Sequence, residues 1–388
     1  MHKQIDSYIL NPIKVNDFIN NHWDNHQLIH IQRELPDYFN SVINIEEIDR
    51  LVCGSRIPPT NINLAQNNDP LPLSSFCSGD LVDHMKVLAL HRRGATIILR
   101  SIEQWSPAFL LIRSEFERLF GFEAQINVYL TPASEKSTPP HWDTHDLFVL
   151  QISGSKVWRI FEGNRTLPLE HERFKIKEDF VGKMKGEYLI KAGDTFFLPR
   201  GVIHEPVAAT YSIHISIGIR SVRWLEVCQE ALENLASEDG SILRETINFN
   251  QAINNEMIKN TISKIISNVD QLKLSLNQIN SSQKYKHCQN YIGTLKSNIN
   301  SCLPTDESRY QLREGVNYSI TDVLNKLELV FGNEKILLPQ SMLPALEIAL
   351  NGKPFNLRDL SIQDYEKTAL CVALVQIGLI KECASQLS

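Results

Sequence analysis

The sequence predicts an α+β protein in which a compact antiparallel β-barrel or sandwich is flanked by helical regions. Three observations predict this class. Between residues 124 and 223, short runs with alternating or fully apolar patterning follow one another, separated by turns of Gly, Pro and Ser. The residues before and after this stretch show helical spacing instead. A chain of 388 residues is also longer than an ordinary domain with one hydrophobic core, so we expect two or three domains.

Hydrophobic spacing predicts the individual elements. Upstream of the barrel, VNDFINNHW, IEEIDRLV and FLLIRSEFERLFG have helical spacing and are mixed with short extended pieces. The strand-like runs are QINVYLT, DLFVLQI, KVWRIF, EYLI, DTFFLP and SIHISIGI, and their turns include ISGSK, KAGD and PRGV. Downstream, WLEVCQEALENLA and residues 255–299 return to helical spacing on a polar background.

A third pattern begins at Ser341, where two apolar-faced helices flank a short turn element and Ser361 or Asp364 can cap the second helix. Three helices with a small hairpin, a winged-helix-like module, fit this pattern. Residues 341–388 contain four basic and five acidic side chains. Because duplex binding needs a basic face, we interpret the module as a packing or substrate-docking unit.

Composition limits the classes of partner. With 43% hydrophobic and 22% charged residues, the chain has the composition of a soluble globular protein. A net charge of −6 gives no general attraction to nucleic acid or to an anionic membrane. The sequence shows neither a secretory signal nor a membrane-spanning run, so we expect a cytoplasmic protein with no membrane partner. Seven scattered cysteines without a Cys-x-x-Cys pair favour reduced thiols.

The tripeptide His-Trp-Asp occurs twice, and its surroundings differ. His22 and Asp24 lie in DFINNHWDN, whose apolar residues have helical spacing. On a helix, side chains two positions apart point about 200° away from each other, so they cannot share an ion. We therefore predict a solvated helix end there, with Trp23 packed inward.

At the second copy, Pro139 and Pro140 exclude a helix, and extended residues two apart project to the same side. His141 and Asp143 can then meet one ion, and His204, in GDTFFLPRGVIHEPV, can supply the third ligand. Alone, His204 would more often be a turn histidine. Together, two histidines and a carboxylate leave half of an octahedron open, which suits non-haem Fe(II), whereas structural zinc closes its shell with four ligands.

These segments resemble a known family. GDTFFLPRGVIH matches the second cupin motif, and NVYLTP followed by PHWDTHDLFVLQISGSKVWRIF resembles the JmjC-type ribosomal oxygenases, which are Fe(II)- and 2-oxoglutarate-dependent protein hydroxylases. The resemblance implies a double-stranded β-helix (cupin/JmjC) barrel, then a helical dimerisation segment and a winged-helix-like module. We accordingly expect a catalytic domain with an N-terminal α/β extension at 1–224, a helical segment at 225–305, the module at 306–388, and a homodimer.

The resemblance also implies a cosubstrate site. It places a cation fifteen residues after the first histidine ligand, which here is Lys156, to pair with the distal carboxylate of 2-oxoglutarate. The alternative is that Lys156 follows the ISGS turn and faces water. Asn127 and Tyr129 match family positions in the same pocket and lie two apart on one strand, although Tyr129 could equally be a core aromatic. His145, His214 and Ser216 are weaker candidates for the same cavity.

One geometrical condition follows from these assignments. If residues 141–152 formed a straight strand, the ISGSK turn would lie about 35 Å from the metal, and Lys156 could not reach a cosubstrate bound there. We therefore expect the chain to bend near Thr144 to Asp146, with the paired strand beginning around Leu147.

The resemblance implies an oxygenase that uses Fe(II), 2-oxoglutarate and O₂ to hydroxylate a side chain of a protein or peptide. A ribosomal-protein-like substrate is the first choice. A natural-product precursor peptide is the second, because ASEKST stands where a glycine-containing loop is usual. The lack of zinc-finger spacing and basic tails argues against a chromatin demethylase. The alternatives are a non-catalytic metal-binding cupin acting as a sensor or scaffold, and a cupin-type isomerase or dioxygenase that does not use 2-oxoglutarate.

Overall fold

The computed structural model describes residues 5–135, 138–163, 166–174, 180–237 and 242–244, seven positions between 256 and 276, and residues 304–383 except 306, 317, 324 and 333. Most of the predicted helical segment at 225–305 therefore lies outside the described residues. Its described part begins with one helix, and the seven positions between 256 and 276 are also helical. The division at residues 224 and 305 stays a prediction.

The helices and strands have the following bounds. The numbered helices are α1 (Ile5–Leu10), α2 (Val15–Phe18), α3 (Ile45–Asp49), α4 (His84–Arg92), α5 (Pro107–Phe120), α6 (Trp224–Ser237), α7 (Leu343–Ala349) and α8 (Asp364–Gln376). The first strands are β1 (Ile29–Ile31), β2 (Ile62–Gln66), β3 (Asp69–Pro70), β4 (Cys77–Ser78), β5 (Leu81–Val82) and β6 (Thr96–Leu99). The barrel strands are β7 (Glu123–Thr131), β8 (Asp146–Ser153), β9 (Ser155–Gly163), β10 (Val181–Lys191), β11 (Thr195–Leu198), β12 (Ile203–Ala208) and β13 (Ser212–Arg220). The last strands are β14 (Arg309–Leu312), β15 (Tyr318–Val323), β16 (Lys326–Phe331), β17 (Glu334–Pro339), β18 (Phe355–Asn356) and β19 (Ile380–Glu382).

Two antiparallel sheets form a double-stranded β-helix barrel. The major sheet has the strand order β1-β11-β8-β13-β7-β6-β2-β3, and the minor sheet has the order β10-β9-β12. Side chains of both sheets, including Val149, Trp158 and Phe196, form a buried cluster. A second and larger cluster joins the major sheet to the N-terminal helices and to α5. Strand β8 is buried along nearly its whole length, because both of its faces are covered.

The sequence predicted the barrel strands better than the strands at the edge of the sheet. Strands β7 to β11 and β13 fall on the six strand-like runs, and β12 begins one residue before His204. The N-terminal extension contributes β1 at one end of the major sheet and β6, β2 and β3 at the other. Hydrophobic periodicity does not reveal such pairing, because the partner strands are distant in sequence.

The expected bend before β8 is present. His141 forms an isolated bridge, the chain turns at Thr144 and His145, and β8 starts at Asp146. The β8–β9 turn at Gly154 then reverses the chain, so that Lys156 is the second residue of β9. The condition that allows Lys156 to approach the predicted site is therefore met.

The C-terminal region contains more strand than the sequence indicated. Its described residues form the meander β15-β16-β17, the small sheet β18-β14-β19, and the helices α7 and α8 around one apolar cluster. We expected three helices and a small hairpin. The N-cap of α8 is Gln363, in a capping box with Glu366, and neither Ser361 nor Asp364 takes that role. The winged-helix-like assignment stays a prediction.

None of the helices in the described part of the chain combines the length and the apolar character that a membrane crossing requires.

Candidate metal centre

The structure brings His141, Asp143 and His204 together. Their candidate ligand atoms all lie within 4.8 Å of one another. The backbones of His141 and His204 form an antiparallel bridge, and the Gly201 N–H donates to the Asp143 carbonyl at 3.0 Å. Strand β12 of the minor sheet and the segment preceding β8 of the major sheet thus hold the three side chains at one end of the barrel.

Each histidine is oriented by a backbone carbonyl two residues before it. His141 Nδ1 lies 2.8 Å from the Pro139 carbonyl oxygen, and His204 Nδ1 lies 3.0 Å from that of Val202. A carbonyl can only accept, so both Nδ1 atoms carry the proton and both Nε2 atoms are left as lone-pair donors to a metal. His204 Nε2 lies 3.8 Å from Asp143 Oδ2, a spacing that an ion between them can bridge.

The electrostatics of the site favour a bound cation. Burial and the neighbouring His141 lower the pKa of His204 to about 4, so its imidazole is neutral at pH 7. Burial raises the pKa of Asp143, but His145, His141 and His204 outweigh it, and the net pKa is below the usual value. A neutral His204 imidazole and an ionised Asp143 carboxylate are protonation states that metal binding needs.

The cluster is open. Among the described residues, His141, Asp143 and His204 are the group of His, Cys, Asp and Glu arranged to hold an ion, and it contains no fourth member. Three protein donors leave half of an octahedral shell for other ligands, which fits Fe(II) better than structural zinc. His145 lies beside the cluster, and its ring packs so closely on Gly218 that an added Cβ would lie 2.5 Å from it.

The candidate ligands His141, Asp143 and His204 line a cavity of about 970 Å³. Its wall includes five of the six other residues that the sequence placed in the pocket, Asn127, Tyr129, His145, His214 and Ser216, whereas the sixth, Lys156, does not line it. The side chains of Tyr129 and His214 stack with a centroid distance of 4.6 Å and an interplanar angle of 4°. Burial, followed by the charge of Asp143, raises the pKa of Tyr129 to about 12, so its hydroxyl keeps its proton.

Lys156 is buried behind this wall and does not face water. Its relative exposure is 0%, and its Nζ lies 3.0 Å from Thr131 Oγ1 and 3.4 Å from His214 Nδ1. None of the carboxylates in the described residues forms an ion pair with it. Burial lowers the pKa of Lys156 to about 7. A buried amine without an anion is costly, and a carboxylate ligand would remove that cost.

The outer wall of the cavity could not be predicted from the sequence. Asn63, Ile98 and Arg100 come from the N-terminal extension, Glu170, Arg173 and Phe174 from the segment after β9, and Glu226 and Glu230 from α6. Trp142, between the candidate ligands His141 and Asp143, packs edge-on against Phe174 with a centroid distance of 5.8 Å. Isolated residues of this kind become neighbours only through the tertiary fold, so no local spacing points to them.

The first His-Trp-Asp copy lies elsewhere. His22 and Trp23 end a short π-helical stretch, Ile19–Trp23, and the Trp23 ring stacks on Phe120 at 4.2 Å. The prediction of a helix end with Trp23 packed inward agrees with this geometry.

A double-stranded β-helix with an open His-Asp-His centre defines a class, and comparison with known proteins agrees with it. Residues 105–227 match the model of the JmjC domain. It is similar to the ribosomal oxygenases. Ribosomal oxygenase 2 of Mus musculus is 30% identical over 217 residues, which cover 54% of this chain and 46% of that protein. The bifunctional lysine-specific demethylase and histidyl-hydroxylase NO66 of Drosophila willistoni is 27% identical over 227 residues, 56% of this chain and 29% of that protein. The chain thus spans about half, or less, of the length of these relatives.

Similarity to solved structures extends further along the chain. The structure of E. coli ycfD has a TM-score of 0.56 at 15% identity and covers 96% of this chain and 98% of that one. A structure of the Escherichia coli ribosomal oxygenase YcfD in complex with cobalt and 2-oxoglutarate has a TM-score of 0.51 at 14% identity, with the same coverage. At these identities the likeness shows the fold.

Proposed function

We propose that this protein is an Fe(II)- and 2-oxoglutarate-dependent oxygenase that hydroxylates a side chain of a protein or peptide. The observation that carries the proposal is an open three-ligand centre at the cavity wall together with Lys156, a buried amine that has no carboxylate partner among the described residues. The relatives named ribosomal oxygenase and the YcfD complex with cobalt and 2-oxoglutarate support it.

His141, Asp143 and His204 would hold the iron through two Nε2 atoms and a carboxylate oxygen. The bound iron, 2-oxoglutarate and O₂ together supply an oxidant strong enough for an unactivated C–H bond, with succinate and CO₂ as coproducts. The chain itself positions the reactants and limits water, because the chemistry needs no protein acid or base at the attacked carbon.

The other pocket residues would select a dicarboxylate. Lys156 supplies the positive charge, and Tyr129 and His214 form the wall in front of it. The phenol keeps its proton and can donate to an anionic oxygen. A metal sensor without this cosubstrate has no use for a buried amine, so Lys156 argues against the sensor or scaffold alternative.

The volume of the cavity supports a macromolecular substrate. A five-carbon dicarboxylate fills only a small part of about 970 Å³, and the remainder can admit a side chain with its neighbouring residues. A ribosomal-protein-like substrate remains the first choice, supported by the names of the relatives, and a natural-product precursor peptide is the second. Cytoplasmic location, a homodimer and a winged-helix-like C-terminal module belong to the same proposal.

The test is succinate formation from 2-oxoglutarate by the Fe(II)-loaded 388-residue chain, with and without ribosomal-protein peptides. We expect succinate that depends on Fe(II) and O₂, stimulation by a substrate peptide, and a mass increase of one oxygen atom on that peptide. Binding of Fe(II) without any succinate, coupled or uncoupled, would contradict the proposal and favour the sensor.

A further inference from the structure

Ser101 has an unusual backbone conformation beside the cavity. It has φ 50° and ψ 46°, the left-handed region that L side chains seldom occupy. It follows Arg100 at the end of β6 and precedes a 3₁₀ turn, Ile102–Gln104. Strain of this kind persists only when the surroundings enforce it, and it is concentrated at functional sites.

The conformation of Ser101 directs its N–H to one side chain of the cavity wall. The Ser101 N–H donates to Asn127 Oδ1 at 3.1 Å. Gln125 Nε2 donates to Ser101 Oγ at 2.9 Å and approaches Asn127 Oδ1 at 3.5 Å. Gln125 is itself held by Arg220, whose Nη2 donates to Gln125 Oε1 at 2.9 Å. These contacts form a chain from Arg220, at the cavity wall, to Asn127.

This series of hydrogen bonds decides which way the Asn127 amide points. Its oxygen already accepts from a backbone N–H and faces the amino group of Gln125, so a flipped amide would bring donor against donor. The Asn127 amino group is therefore left for the other side, where Tyr129 lies two residues further along the same face of β7. Asn127 consequently offers N–H donors, rather than a carbonyl, to an anionic ligand in the cavity.

We propose that Ser101 and Gln125 are positioning residues that fix the Asn127 amide as a donor to a carboxylate of 2-oxoglutarate. This inference rests on the proposed function. Ser101 does not line the cavity and Gln125 does, and both act through Asn127. A substitution of Gln125 can turn the Asn127 amide over while the Ser101 N–H stays in place.

Gln125→Glu is the variant that tests this. The glutamate keeps its partner Arg220 but places an acceptor where an amino group stood, opposite Asn127 Oδ1, so the amide should turn its amino group away from the ligand. We expect the dissociation constant of 2-oxoglutarate, measured by calorimetry on Mn(II)-loaded protein, to rise about tenfold or more. The KM for 2-oxoglutarate should rise in parallel, while kcat at saturation and the affinity for Mn(II) change less than about twofold.

Two further variants make the result specific. Asn127→Asp still accepts from Ser101 but cannot donate, so it should weaken 2-oxoglutarate at least as much as Gln125→Glu. Asn63→Asp adds the same charge at another residue of the cavity wall, and it should leave the dissociation constant within about twofold; a loss equal to that of Gln125→Glu would assign the effect to charge alone and overturn the orienting role. Melting temperatures establish that each variant is folded.

The outcomes are distinguishable. If wild-type protein loaded with Mn(II) binds 2-oxoglutarate but Gln125→Glu binds it equally well, the orienting role is overturned and the proposed function stands. If Gln125→Glu lowers kcat or Mn(II) affinity as much as it weakens 2-oxoglutarate, the effect is structural and the proposal is also overturned. If wild-type protein does not bind 2-oxoglutarate at all, the proposed function fails and this inference fails with it.

Discussion

His141 and His204 are 63 residues apart in the chain, yet they lie opposite each other and exchange both backbone hydrogen bonds, at 3.1 Å and 2.8 Å. The bridge joins the segment before β8 to β12, and so ties the major sheet to the minor sheet at the open end of the barrel. Each ring is further fixed by its own carbonyl partner. The ligand geometry is therefore set by backbone pairing, before any metal binds.

Asp143→Ala should abolish tight metal binding without unfolding the protein. The carboxylate is the anionic ligand of the set, and its loss should raise the dissociation constant for Mn(II) about 100-fold or more, measured by electron paramagnetic resonance. Asp24→Ala, in the other His-Trp-Asp copy, is the matched control and should leave Mn(II) affinity unchanged. Equal losses of Mn(II) affinity in both variants would contradict the assignment of the metal site to the second His-Trp-Asp copy.

Lys156→Met should weaken the binding of 2-oxoglutarate but make the apoprotein more stable. Methionine has a similar length but no charge, so the dissociation constant of 2-oxoglutarate should rise about 100-fold while that of Mn(II) stays the same. The free energy of unfolding of the apoprotein at pH 7 should increase by about 1–3 kcal/mol, because the buried amine is costly without its anion. A variant that is both less stable and equally able to bind 2-oxoglutarate would contradict the assigned role.

The stability difference between wild type and Lys156→Met has a predicted pH dependence. The folded-state pKa of Lys156 is about 7, below the unfolded value of 10.5. Between these values the unfolded chain binds the extra proton, so wild-type stability rises with pH relative to the variant. Urea titrations at pH 7 and pH 9 should therefore show a smaller difference at pH 9. A stability difference that is larger at pH 9 than at pH 7 would contradict a lowered pKa of Lys156 in the folded protein.

The affinity for 2-oxoglutarate should depend on pH for the same reason. A dicarboxylate needs the ammonium form, and above pH 7 that form must first be regained by proton uptake. The affinity should fall by about tenfold per pH unit between pH 8 and 9, with proton uptake visible as a buffer-dependent calorimetric enthalpy. Lys156→Arg, which stays charged, should lose this dependence even if it binds more weakly. A pH-independent wild-type affinity would show that Lys156 does not pair with the ligand.

Gly154→Ala should test the turn that carries Lys156 into the barrel. Gly154 has φ +65°, and an added Cβ would lie 1.7 Å from the Tyr211 carbonyl oxygen. Gly79 has a similar φ of +62° but open space around it. Gly79→Ala should therefore cost about 1 kcal/mol for the backbone strain alone, and Gly154→Ala about 3 kcal/mol or more. Equal melting temperatures for the two variants would contradict the close approach.

Much of the site could be predicted from local patterns in the sequence. Two prolines before His141 and the turn before His204 indicate extended ligand segments, and the strand periodicity of NVYLT places Asn127 and Tyr129 on one face. Lys156 could be placed only through the family resemblance. Its burial against Thr131 and His214 depends on how three strands meet, which no single segment reveals.

Other features depend on contacts between distant segments. Ser101 has no sequence signal, since serine is not a residue that marks a left-handed turn, and its partner Asn127 is 26 positions away. In the C-terminal region the two helices on either side of a short turn element were predicted, but short strands such as β14 and β19, three or four residues long, carry too little periodicity to be recognised.

The central claim is that one cavity combines an open metal centre with a dicarboxylate site that depends on it. Calorimetric titration of 2-oxoglutarate into wild-type and Asp143→Ala protein, with and without Mn(II), tests this most directly. We expect wild-type protein to bind 2-oxoglutarate at least about tenfold more tightly with Mn(II) than without it, and Asp143→Ala to show no such gain. Binding of equal strength without metal, or an undiminished gain in the variant, would contradict it.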